Sequence, residues 1–81
     1  MMPNDTTPDQ EVDAAGLMCP LPILRARKAL SGMASGEVLL VYSTDPGSRQ
    51  DFLSFAKQTG NTLLASGEKA DGRYWFMLKR K

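Results

Sequence analysis

The only cysteine of the 81-residue chain, Cys19, stands directly ahead of Pro20, Leu21 and Pro22. Two prolines this close disrupt a helix interior, but in a first turn their missing amide hydrogens have no intrahelical partner to lose. The tetrapeptide therefore reads as a loop entering a helix, with Cys19 at the N-cap. There the sulfur meets free backbone amides and the positive end of the helix dipole, which favour thiolate over thiol. The effect is modest, because an ordinary thiol is only a few per cent ionised at neutral pH and a helix terminus contributes about 0.3–1 kcal/mol. Arg25 and Lys28, one to two turns further on, add a weaker field that salt screens. A persulfide is a stronger acid than its parent thiol, so the same surroundings would hold its anion more readily. Such a position suits a sulfur atom in transit.

What is missing narrows the chemistry further. Pro22 occupies the place where a C-x-x-C motif would end, and no other thiol exists to collapse a persulfide into a disulfide. There is no histidine, which excludes Ser-His and Cys-His nucleophile pairs and histidine metal sites. A single Cys excludes an internal disulfide and a zinc knuckle. Gly32, Gly36 and Gly47 fit no phosphate-loop spacing. Neither a metal nor a resident cofactor is expected. Counted alone, a lone Cys in a small intracellular domain is most often an inert, buried apolar residue. Its place before a Pro-x-Pro helix start, where burial is incomplete, reverses that weighting.

The elements that position Cys19 follow from periodicity. Gln10 to Ala14 is a short strand and Gly16 a bend. Ile23, Ala26, Leu30 and Met33 recur at spacings that stack on one side of a helix from Pro20 to about Met33. Glu37 to Ser43 is rich in β-branched and aromatic residues and reads as a central strand buried at least partly on both faces. Asp45 is a good N-cap, with Pro46 at the first helical position; Phe52, Phe55, Ala56 and Thr59 then repeat at helical spacing, and Gly60 suits the C′ position. Thr62 to Gly67 and Arg73 to Lys79 are extended, joined through the Asp71-Gly72 turn signal. The order β, α, β, α, β, β predicts an α/β two-layer sandwich, with two helices on one face of a four-stranded mixed sheet. Alternation buries Tyr74, Phe76 and Leu78 under the helices and leaves Trp75 and Met77 on the open, wetted face.

Residues 1–9, with two prolines, read as a frayed lead-in to a single domain over 10–81. A net charge of +1 gives no marked basic excess, which argues against direct nucleic-acid binding. No basic leader precedes an apolar run, and no span of about 18 apolar residues occurs, so the expected setting is the cytoplasm, without membrane insertion. Nothing resembles a heptad seam, and a monomer is the simplest case. Trp75 and Met77 are either partly covered by an edge loop or, with Lys79 and Arg80, candidates for docking a partner, and Lys79 to Lys81 read as a solvated basic tail.

The residues that lead into and follow the cysteine motif resemble the TusA, or SirA-like, sulfur-carrier family. The likeness runs from Asp13, Ala14, Ala15, Gly16, Leu17 and Met18 through the motif to Lys28 and Leu30. It continues over Gly36 to Leu39 and Thr44 to Ser48 as far as Gly60, and spans residues 11 to 80. Two departures stand out: Thr44 precedes Asp45 where members often carry two acidic residues, and Asn61 follows Gly60 where a His is often seen. The resemblance implies a βαβαββ sandwich whose Cys19 accepts sulfane sulfur as a persulfide from a donor protein of the cysteine desulfurase or rhodanese type and passes it to an acceptor. Gly16, Pro20, Pro22, Arg25, Lys28 and Asp45 would shape the site. The pathway served, whether tRNA thiolation, cofactor assembly or sulfur oxidation, is left open. Two other readings of the residues stay open: an RNA- or protein-binding module using the open sheet face, and a thiol redox sensor cycling Cys19 through sulfenic acid.

Overall fold

A computed structural model describes residues 7–81. The chain runs through β1 (Gln10–Ala14), α1 (Leu21–Ser31), β2 (Val38–Ser43), α2 (Ser48–Thr59), β3 (Thr62–Glu68) and β4 (Tyr74–Lys79). The sheet order is β1-β2-β4-β3. β1 and β2 are parallel, as a crossover through α1 requires, and the remaining neighbours are antiparallel. All six expected elements are present, and β1 matches its expected bounds.

Both helices cover one face. Ala26, Leu30 and Met33 from the α1 side meet Phe52, Phe55 and Ala56 of α2 over Leu39, Val41, Phe76 and Leu78 of the sheet. Phe76 and Leu78 lie under the helices as alternation requires, with Tyr74 partly buried beside them. Gly60 ends α2 at φ +81°, donating its N–H to the Ala56 carbonyl, the left-handed C′ geometry that favours glycine.

Four expectations need correction. Both helices begin later than the sequence suggests. Pro20 is the N-cap of α1, which places Cys19 one residue outside it. Gly47 is the N-cap of α2, two residues beyond Asp45, whose side chain accepts the Gly47 N–H ahead of the first helical turn. The opposite sheet face is not simply wetted: Met77 lies on it, as expected, but is fully buried with Val38 and Leu40. Long side chains roof this face. The Trp75 indole lies across Gly67, while Lys69 and Arg73 stack on the Tyr42 ring. The basic end is not a free tail, since Arg80 donates Nε–H to the Leu30 carbonyl at 2.8 Å and its backbone pairs with Gly36 and Glu37. The lead-in falls partly on residues 1–6, outside the described residues; at its end Asp9 exchanges bonds with Val38, one through its backbone N–H and one through its carboxylate.

The Trp75 roof leaves no room at Gly67, where an added Cβ would stand 2.8 Å from Trp75 Nε1 and 2.9 Å from Cε2. Gly67→Ala is therefore expected to cost about 1–3 kcal/mol by forcing the rigid indole aside. Urea unfolding followed by tryptophan emission measures both the loss and the altered indole environment; an unchanged midpoint would contradict the close approach.

Candidate functional site

Parallel pairing puts the carboxyl ends of β1 and β2 side by side, Ala14 opposite Ser43. The loops that leave these two strands therefore meet, and they meet at Cys19. Gly16 turns the first loop at φ +84°, a region that L side chains rarely adopt, and its N–H donates to Thr44 Oγ1 at 2.8 Å. Three residues on, the Cys19 N–H donates to Asp45 Oδ2 at 2.8 Å, while Oδ1 of the same carboxylate accepts the Gly47 N–H at 3.1 Å. Asp45 thus fastens the cysteine loop to the start of α2. Below it, Ser43 and Ser48, both buried, share a hydroxyl hydrogen bond at 2.6 Å.

The Cys19 thiol is exposed. Its sulfur and one carboxylate oxygen each from Asp45 and Asp51 lie within 4.8 Å of one another. Asp51 comes from the first turn of α2 and shares a shallow depression with Cys19, Ile23 and Arg27. Met18, 74% exposed, and Leu21 and Leu24, about half exposed, are apolar side chains of the motif segment left in solvent. Among the described residues no other set of three Cys, Asp or Glu side chains converges in this way.

This electrostatic setting overturns the expectation of a primed thiolate. The Asp51 carboxylate, as acceptor for the thiol proton, raises Cys19 above the ordinary thiol range; lost solvation and the negative charges of Asp51 and Asp45 act in the same direction. Nearby anions outweigh a helix terminus that begins one residue further on. Arg25 and Lys28 are exposed on α1 and do not figure among the groups acting on the sulfur. The cation of the depression is Arg27, whose guanidinium lies 5.3 Å from the Phe55 ring centroid.

The structure brings together Cys19, Pro20, Gly16 and Asp45 from the sequence-derived set, and Pro22 is buried at the base of α1. It does not unite Trp75, Met77, Lys79 and Arg80 into one surface: Met77 is buried, Lys79 is exposed at the end of β4, and Arg80 is anchored to α1. Asp51 was not among the expected site residues. The signal for it is an acid in the first turn of the helix that follows β2, next to the motif loop.

Asp45→Ala removes two hydrogen bonds to one charged acceptor and is expected to lower stability by about 1–3 kcal/mol. Asp45→Asn, with a single accepting oxygen, should fall between. Chemical denaturation of the three proteins gives the order; equal midpoints for Asn and Ala variants would show that the one bond an amide oxygen can keep contributes nothing.

Fold and site together define a class: a small α/β sandwich that presents one solvent-facing thiol, fastened by its backbone, at the carboxyl ends of a parallel strand pair. The model of the Sulfurtransferase TusA family matches residues 10–80. The Sulfur carrier protein TusA of Allochromatium vinosum is 60% identical over 72 residues, covering 89% of this chain and 93% of that protein. The protein of the same description from Pseudomonas putida is 38% identical over 78 residues, 96% of each. A SirA-like protein of Desulfitobacterium hafniense superposes with a TM-score of 0.78 at 31% identity, covering 86% of this chain and 95% of that one. The chain belongs to the TusA family.

Proposed function

We propose that Cys19 is the carrying atom of a sulfur relay. Sulfane sulfur arrives from a cysteine desulfurase or rhodanese type of donor, rides on Cys19 as a persulfide, and leaves to an acceptor protein in the cytoplasm, where thiols are kept reduced. Membership of a sulfur-carrier family supports the relay and the need for donor and acceptor proteins. The observation that carries the assignment to Cys19 is its exposure: it is the chain's only thiol and stands in solvent. Loading is a sulfur exchange without net oxidation. The Cys19 sulfur attacks the outer sulfur of the donor persulfide, the donor S–S bond breaks, and its electron pair and a proton regenerate the donor thiol. No helix among the described residues is long and apolar enough to cross a membrane.

The experiment is intact-mass measurement after mixing with a desulfurase and cysteine, then peptide mapping. One added sulfur on the peptide that contains Cys19 is expected. Added oxygen would indicate a redox sensor instead. No adduct, with retained RNA or protein binding, would indicate a binding module, a reading weakened by the burial of Met77 on the face it needs.

A further inference from the structure

Two carboxylates flank the Cys19 sulfur, and they are engaged differently. Asp45 commits both oxygens to backbone N–H groups, those of Cys19 and Gly47. The Asp51 carboxylate has no such employment: among the described residues the ion pairs are those of Arg73 with Asp13 and Asp71. Arg27, the nearest cation in the depression, is stacked on Phe55. Asp51 is therefore an acceptor left open beside an exposed thiol, on a helix whose next residue, Phe52, is locked in the core.

We propose that Asp51 favours the protonated form of the carried sulfur, first on the empty thiol and then on the outer atom of the persulfide, raising the share of cargo that is neutral and electrophilic when an acceptor thiolate arrives. This inference rests on the carrier reading. An S–S bond of about 2.05 Å leaves the outer sulfur within reach of a carboxylate already inside the 4.8 Å cluster. Unloading then balances simply. The acceptor thiolate attacks the outer sulfur, the Sγ–S bond breaks, and the electron pair stays on Sγ. The transferred sulfur departs with its proton as the acceptor's persulfide, and the Cys19 thiolate takes a proton from water and returns to Asp51. A persulfide anion would instead repel the incoming thiolate. The charged groups of the cluster and its depression are Asp45 from the loop after β2, Asp51 from α2 and Arg27 from α1, and the upward shift of the empty thiol, set by the two carboxylates, is the same bias seen before loading.

The test loads the full-length protein with inorganic polysulfide and follows loss of the added sulfur to 2-mercaptoethanol by intact mass across pH. Comparing wild type with Asp51→Asn cancels the ionisation of the acceptor. The rate ratio is expected near unity in acid, where both persulfides are protonated, and to rise to roughly two- to fivefold in favour of wild type near neutrality, the range for an exposed charge interaction. Asp51→Glu should keep the wild-type profile. A ratio that does not change with pH overturns the assignment, since a merely structural loss would slow transfer at every pH. Wild type that takes up no sulfur removes the carrier reading and this inference with it, whereas loaded protein with a flat ratio removes only the role of Asp51.

Discussion

Cys19→Ser is expected to abolish sulfur loading and leave the fold intact. Serine matches cysteine in size but its hydroxyl does not ionise near neutral pH, and the chain contains no second thiol to take over. The side chain stands in solvent, and the structural bond at this position is made by the backbone N–H to Asp45, which the substitution retains. Stability should therefore stay within about 0.5 kcal/mol of wild type. A donor incubated with the variant should retain its own persulfide, seen as added sulfur on the donor alone. Any sulfur gained by the variant would place the carrier atom elsewhere and end the proposal. The complementary experiment follows thiol ionisation: in Asp51→Asn, alkylation by iodoacetamide should reach its plateau at lower pH than in wild type. The carboxylate that favours the thiol has then gone, and the thiolate is the reacting species.

Local patterning made the architecture legible. The alternation of Tyr74, Phe76 and Leu78 against Trp75 and Met77 assigns each to its side of the sheet, and the structure keeps that assignment. Alternation says nothing of what lies above a residue. Met77 is buried with Val38 and Leu40 where Tyr42 and Trp75 pack against them, and a basic C-terminal run hides that Arg80 closes onto a carbonyl fifty residues earlier. The site divides in the same way. The Pro-x-Pro context reveals the exposure of Cys19, because helix starts are local. The charge around it is set by residues 26 and 32 positions later, brought in by the parallel pairing of β1 and β2. A helix dipole can be read from one segment; two carboxylates from another segment cannot, and here they decide the sign.

Those carboxylates are held in place by the core, which makes Phe52→Ala the substitution with the largest structural effect. Phe52 is fully buried, stacks on Phe76 at 4.6 Å between centroids and 23° between planes, and meets Phe55 edge-on at 6.2 Å. Truncation removes its transfer free energy and leaves a cavity that three elements cannot close, at about 3–5 kcal/mol. A chain of this length has roughly 4–12 kcal/mol in total, so a large part of the margin disappears and unfolding should begin in dilute urea. Phe52→Leu, which refills most of the volume, should lose roughly 1–2 kcal/mol. The functional consequence follows from adjacency, since residue 52 anchors the turn of α2 that carries Asp51. In the Leu variant, still folded, a loosened α2 should shift the pH dependence of Cys19 alkylation part of the way toward that of Asp51→Asn. If Phe52→Leu alkylates as wild type does despite its lower stability, the placement of Asp51 depends on the loop bonds of Asp45 and not on the aromatic core.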